Sequence, residues 1–165
     1  MKKIDTTLIV IIIITFVVFA GIIFAALKLN PEAKKYSASD STKPKIEISE
    51  DNFDFGKMKT TEIKTKKVAI KNIGGAGLDI RNFSTSCDCT YLFVIINGQK
   101  SPKFSMANNP EWSRELAPGE NAELEIAYEP RIMPVEGDVS RTVLFSTNDP
   151  DKTEVEINFK ADVSK

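Results

Sequence analysis

Hydrophobic residues follow two different patterns along this chain. Residues 8–27 form a continuous apolar run in which 18 of 20 side chains are hydrophobic and only Thr15 and Gly21 interrupt. As a helix this run would rise about 30 Å, the thickness of the hydrocarbon core of a bilayer. We therefore expect one transmembrane helix at 8–27 after a short tail at 1–7. A cleaved signal peptide is the alternative, but signal peptides usually have an apolar region of about 7–15 residues followed by a small-x-small cleavage site, which this run lacks.

From residue 45 onward, apolar and polar residues alternate with a period of two. The clearest case is residues 154–163, and shorter stretches at 46–48, 68–70, 78–80 and 124–128 repeat it. Strict alternation is typical of antiparallel strands with one buried face. Residues 91–96 and 142–146 are apolar or neutral on both faces, which favours more central strands.

Turn sequences separate these strands. Asn97-Gly98, directly after 91–96, is a strong signal for a two-residue hairpin. Residues 74–77, 117–120 and 148–150 also have the composition of turns. The sequence therefore predicts an all-β, immunoglobulin-like antiparallel sandwich of seven to nine strands over 45–165. Residues 28–44, with Pro31, Pro44 and no apolar period, are expected to be a flexible linker.

Composition argues against most enzyme and nucleic-acid functions. The chain has no histidine, the commonest general base and metal ligand. Residues 44–165 carry 16 basic and 20 acidic side chains, a net charge of −4, which does not favour nucleic acid. No motif supplies an activated nucleophile. The sequence thus predicts a non-enzymatic protein with no catalytic residue, no cofactor and no bound metal.

Several short motifs occur in a characteristic order. They are FDFG at 53–56, Asn72-Ile73-Gly74, SCDCT at 86–90, Trp112, APGE at 117–120 and SxNDP at 146–150. This order resembles the bacterial domain of unknown function 1573, a family similar to ASH/Hydin and major sperm protein domains. The resemblance implies an immunoglobulin-like sandwich in a bacterial envelope, but no activity. With the apolar run it implies a single-pass protein of the bacterial cytoplasmic membrane, with its domain on the periplasmic or extracytoplasmic side.

Two features depart from that family pattern. Asp88 stands where the family usually has glycine, so the backbone between the cysteines should be less free to adopt a positive φ. The stretch 91–112 is also longer than usual, and insertions on a sandwich rim often carry specific contacts. The candidate partner contacts in it are Asn97, Gly98, Phe104, Met106 and Trp112. The alternative is a hairpin that merely extends one sheet.

Aromatic residues near the start of the domain are expected in the core. Phe53 and Phe55 should pack inside the sandwich and lead into a turn at Gly56.

Cys87 and Cys89 are the only cysteines. In an extended segment both would point to the same side with Cα atoms about 6.5 Å apart, at the far limit for a disulfide. A structural role is favoured, either as two buried thiols or as a local disulfide. A redox-active pair, a soft-metal site completed by Met58, Met106 or Met133, and an intermolecular role remain as alternatives.

Taken together, these features favour a membrane-anchored, non-enzymatic envelope protein. Its lipid contact would be through residues 8–27, and its sandwich would bind another envelope or membrane protein as a complex subunit or assembly factor. The alternative is a thiol redox or soft-metal-handling protein that uses Cys87 and Cys89.

Overall fold

The computed structural model describes residues 6–29 and 34–165, and within the helix it describes the side chains of residues 10–24. Compact units comprise residues 1–34 and 35–165. The first contains helix α1 (Thr6–Leu29), in which Thr15 Oγ1 donates a hydrogen bond to the Ile11 carbonyl at 2.8 Å. Its described large hydrophobic side chains are exposed. Among the described residues, no helix is both long and apolar enough to cross a membrane.

The second unit is a β-sandwich of two five-stranded sheets. The strands are β1 Ile46–Ile48, β2 Asn52–Lys59, β3 Lys64–Asn72, β4 Leu78–Thr85, β5 Thr90–Ile96, β6 Gln99–Lys100, β7 Ser113–Leu116, β8 Asn121–Tyr128, β9 Gly137–Thr147 and β10 Glu154–Ser164. The first sheet has the order β1-β3-β8-β5-β6, and the second has the order β2-β10-β9-β4-β7. A short 3-10 helix, Pro130–Ile132, precedes β9.

The sandwich differs from the expected one in two respects. It has ten strands in the described residues rather than seven to nine, because β1, β6 and β7 are short pieces on the sheet edges. The expectation of a wholly antiparallel sandwich was wrong, because β2 pairs with β10 in parallel. The physical reason is that the chain crosses from the first sheet to the second between β1 and β2, and β2 then runs beside β10 in the same direction.

The alternating pattern places one side of each strand in a common core. In β10, for example, Val155, Ile157 and Phe159 are completely buried while Glu154 and Glu156 are exposed. Phe53 is also buried, and its ring centroid lies 5.2 Å from that of Phe55 and 5.4 Å from that of Phe159. Phe53 therefore belongs to the core, as expected, and the half-buried Phe55 packs against it. The expected turn at Gly56 was wrong, because Gly56 lies inside β2, with φ of +64°, where a bulge shifts the register between β2 and β10.

The loops gather at two opposite ends of the sandwich. The proximal end, where the chain enters the domain at residues 43–45, holds the loops 73–77, 117–120 and 148–153. The distal end holds the loops 60–63, 86–89 and 129–136. Hydrogen bonds tie each group together, for example Ile73 N–H to the Lys45 carbonyl at 2.8 Å and Glu129 N–H to the Cys89 carbonyl at 2.8 Å.

Candidate functional site

Three of the sequence motifs meet at the proximal end and serve as its scaffold. Asn72 is completely buried and donates its side-chain amide to the carbonyls of Ala76 at 2.8 Å and Leu116 at 2.9 Å. Its Oδ1 accepts the Gly74 N–H at 2.9 Å. One side chain therefore joins the β3–β4 loop to the end of β7.

Gly74 in the same motif leaves room for the chain that enters the domain. A Cβ atom at Gly74 would lie 2.4 Å from both the Lys43 carbonyl oxygen and the Lys45 backbone nitrogen. Because backbone atoms cannot move aside as a flexible side chain could, glycine is required here.

The other two motifs at this end make further backbone contacts. Asp149 is almost completely buried, and its carboxylate accepts the N–H groups of Ile46 and Asp151, each at 2.9 Å. Glu120 Oε2 accepts the Ala117 N–H at 2.9 Å, and Gly119, with φ of +83°, donates its N–H to the Asn72 carbonyl at 2.8 Å. These polar groups stabilise the fold through hydrogen bonds to the backbone, so a binding or redox site has to be sought elsewhere in the domain.

Cys87 and Cys89 lie in the distal turn between β4 and β5 and form a disulfide. Their Cα atoms are 5.3 Å apart, closer than the 6.5 Å or so expected for an extended segment, because the chain turns here. Thr85 Oγ1 donates to the Cys87 carbonyl at 2.8 Å, and Thr90 N–H donates to the same carbonyl at 3.2 Å. The expected extended geometry was wrong, and the turn is what brings the two sulfurs into bonding range.

The disulfide is buried and has a cation beside it. Cys87 is 5% exposed and Cys89 is 0% exposed. Arg141 Nε donates a hydrogen bond to Cys89 Sγ at 3.4 Å. The guanidinium carbon of Arg141 also lies 6.0 Å from the centroid of the Tyr128 ring, and burial raises the pKa of the Tyr128 hydroxyl. Arg141 therefore places positive charge against one particular sulfur of the pair.

A soft-metal site finds no support in this arrangement. Both sulfurs are bonded to each other, so neither is free to act as a thiolate ligand in this state. Within residues 6–29 and 34–165, no three His, Cys, Asp or Glu side chains are grouped as metal ligands would be.

Asp88, between the cysteines, fastens the long insertion to this turn. Its Oδ1 accepts the Ser105 hydroxyl at 3.0 Å and the Ala107 N–H at 2.8 Å. In the described part of the chain, the non-glycine residues with positive φ are Asn82 and Asn97, so Asp88 is not among them. Asp88, where the resembling family has glycine, therefore does not adopt a positive φ, and its side chain anchors the insertion.

The insertion itself begins with the expected hairpin. Ile96 pairs with Gln99 across Asn97-Gly98, whose φ values are +51° and +79°. The hairpin adds the two-residue strand β6 to the first sheet, as the alternative interpretation expected. Asn97 also donates its side-chain amide to Glu120 at 3.0 Å.

The remaining candidate contacts in the insertion divide into buried and exposed residues. Phe104 is 0% exposed and pairs with Leu92 of β5, so its expected availability to a partner was wrong. It was missed because the insertion folds back over the core, which its sequence alone does not reveal. Trp112 is half-buried, with its ring centroid 5.7 Å from those of Phe83 and Phe104. Met106 is 52% exposed.

A groove of about 300 Å³ runs between the edges of the two sheets beside Trp112. Its lining includes Ile96, Lys100, Arg114 and Glu120. Lys100 is paired with Glu125 at 2.6 Å, on the first sheet. The structure therefore offers a groove with mixed apolar and charged lining where the insertion and the sheet edges meet.

Sequence reasoning missed Arg141, Tyr128 and Arg114. Each lies on a strand whose alternation marks it only as one more polar or apolar position. Arg141 is 52 residues from Cys89 along the chain, so no local motif could have linked the two.

Comparisons with other proteins agree on the fold. Residues 44–162 match the family model for the HYDIN/CFA65/VesB-like, Ig-like domain. A protein of unknown function from Porphyromonas gingivalis W83 is similar over 76% of this chain, with 20% identity and a TM-score of 0.55; the match spans 50% of that protein. A family 123 glycoside hydrolase from Clostridium perfringens is similar over 74% of this chain and 27% of its own, with 7% identity and a TM-score of 0.53. No curated protein sequence matches this chain.

Proposed function

Residues 44–162 of this chain belong to the HYDIN/CFA65/VesB-like family of Ig-like domains, and from this we propose that the chain is a non-enzymatic protein whose sandwich binds another protein. The observation that carries the proposal is the insertion. Phe104 and Asp88 hold it against the sandwich, while Met106 remains exposed and Trp112 borders the groove. Rims built in this way suit docking because the contact surface is ordered before the partner arrives.

The proposal also includes a membrane anchor, which rests on the sequence of residues 8–27. Their unbroken apolar run suits lipid. We place the protein in a bacterial cytoplasmic membrane, with the sandwich on the extracytoplasmic side. It would act there as a complex subunit or assembly factor. The motif order that resembles the domain of unknown function 1573 supports the bacterial part of this assignment.

Site-specific photo-crosslinking in native membranes tests partner binding. A photoreactive amino acid would replace Met106 at the insertion or Ile73 at the proximal end, two positions of similar exposure at 52% and 45%. We expect one protein to be crosslinked in stoichiometric yield from Met106 and not from Ile73. Equal capture from both positions, or none from either, would contradict the proposal.

The disulfide favours a second candidate function, a thiol redox role. The specific observation is the guanidinium of Arg141 beside Cys89 Sγ, because a cation stabilises the thiolate that leaves when a disulfide is attacked. A dithiol reductant of the thioredoxin class would attack Cys87 Sγ, and the electron pair of the broken S–S bond would go to Cys89. The reductant's second thiol would then release Cys87, leaving two thiols on this chain and a disulfide on the reductant.

Reduction kinetics distinguish this role from an inert structural disulfide. An Arg141→Met variant should react several-fold more slowly with the dithiol, while Arg81→Met should react at the unaltered rate. Alkylation of the new thiols, followed by mass measurement, gives the rate. A folded chain whose disulfide resists the reductant would eliminate the redox function.

A further inference from the structure

Three of the four sheet edges in the described residues are covered or at most three residues long. At the β2 edge, Lys64 Nζ donates to the carbonyls of Phe55 at 2.5 Å and Lys57 at 2.8 Å. The β1 edge is three residues long, and the Ile46 N–H is taken by the Asp149 carboxylate. The β6 edge is two residues long. Such features keep other chains from pairing with an edge.

The fourth edge, β7, has backbone groups directed outward. In β4, the Asp79 N–H donates a hydrogen bond at 2.8 Å to the side-chain oxygen of Asn148, which directly follows β9. The backbone groups of Asp79 therefore point toward β9, and those of Leu78 and Ile80 point toward β7. Arg114 and Leu116 of β7 lie opposite Ile80 and Leu78, so their backbone groups point toward β4. Ser113 and Glu115 alternate with them and face away. Outside the strand ladders, no hydrogen bond among the described residues uses the backbone groups of Ser113 or Glu115.

The groove beside this edge is lined by four charged side chains, Lys100, Arg114, Glu115 and Glu120. Lys100 is paired with Glu125, and Glu120 accepts hydrogen bonds from Asn97 and from the backbone. Arg114 makes no ion pair in the part of the chain that the structure describes. The Glu115 carboxylate lies against Gly77, away from Arg114 on the alternating face of β7. Arg114 with the half-buried Trp112 alongside therefore suits an acidic side chain next to an apolar one.

We propose that an extended segment of a partner protein adds to β7 as the next strand of the second sheet. Its backbone would exchange hydrogen bonds with Ser113 and Glu115, with an acidic side chain beside Arg114 and an apolar one against Trp112. Strand addition of this kind takes affinity from the main chain and specificity from alternate side chains. The inference rests on the proposed protein-binding function and specifies its site and the form of its ligand.

Hydrogen exchange on the full chain in mild detergent tests this mode of binding. In the free chain, the amides of Ser113 and Glu115 should exchange rapidly while those of Arg114 and Leu116 are protected. The probe is a set of short peptides selected from a random displayed library against the full chain. Bound peptide should protect Ser113 and Glu115 by at least tenfold and leave Arg114 unchanged, because only outward-facing amides gain a partner.

Charge reversal tests the recognition of an acidic side chain. Arg114→Glu should weaken the binding of the selected peptides about fivefold to tenfold, since an attraction becomes a repulsion. Lys71→Glu reverses an exposed strand cation of the first sheet and should leave binding unchanged. An unaltered thermal unfolding midpoint for each variant shows that any change comes from binding rather than misfolding.

The outcomes separate this inference from the proposed function. Protection confined to another edge, peptides without acidic residues, or a second copy of this chain on β7 would overturn strand addition. If Met106 still crosslinks one partner in those cases, the protein-binding function stands. Failure to select any peptide, together with no crosslinked partner, would overturn both.

Discussion

Replacing Asn72 with alanine should strongly destabilise the proximal end, although the residues on either side of Asn72 are exposed. The substitution removes three hydrogen bonds of 2.8–2.9 Å, to Ala76, Leu116 and Gly74. Each contributes about 1 kcal/mol net, and a buried group left without a partner costs about 1–3 kcal/mol more. Because Asn72 is completely buried, water cannot replace the lost amide without rearrangement. We therefore expect the free energy of unfolding to fall by about 3–5 kcal/mol.

Urea unfolding of the full chain in mild detergent measures this loss. Asn121→Ala is the matched control, because Asn121 is an exposed asparagine at the start of β8 and should change stability by less than about 0.5 kcal/mol. A loss below about 1 kcal/mol for Asn72→Ala would refute the reasoning, since it would mean that the motif is not the structural junction inferred from its contacts.

Three further substitutions test other parts of the structure. Asp88→Ala removes both hydrogen bonds to the insertion, so stability should fall by about 1–2 kcal/mol and the Ala107 amide should exchange faster. Burial raises the pKa of Asp79 above its usual 3.8, so the folded chain holds this proton more tightly than the unfolded chain does. The free energy of unfolding therefore falls as the pH rises through the raised pKa of Asp79. Asp79→Asn should therefore be more stable than the native chain at pH 7, with the difference shrinking toward pH 4 in paired denaturation curves; an equal difference at both pH values would contradict this. Gly74→Ala should cost more than about 2 kcal/mol, because its Cβ meets backbone, whereas Gly75→Ala, whose Cβ would meet a flexible methyl group, should cost far less in the same urea assay.

The motifs found in the sequence have a common structural cause. Asn72, Gly74, Gly119 and Asp149 were recognisable as a family pattern, yet their proximity could not be read from their spacing. They meet because turns at the same end of antiparallel strands become neighbours once the sheets pair. This explains why the most recognisable residues of the chain form a scaffold and leave binding to less distinctive positions.

The insertion shows where local pattern stops being informative. Its hairpin at Asn97-Gly98 was predictable because a two-residue turn is encoded by the residues that form it. The burial of Phe104 was not, because a loop aromatic can face solvent or core with the same sequence neighbours. The same holds for Asp88, whose partner Ser105 is 17 residues away.

The sequence by itself determined the strand alternation, the turns and hence the immunoglobulin-like sandwich, because these depend on side-chain periodicity and on local backbone preferences. Only the tertiary structure decided that Cys87 and Cys89 lie in a turn, that Arg141 stands beside Cys89 and that β7 is an edge with outward-facing backbone groups. These properties arise from strands far apart in sequence that become neighbours through sheet pairing. Periodicity says which face of a strand is buried, but the identity of its neighbours is set by how the two sheets close around their common core.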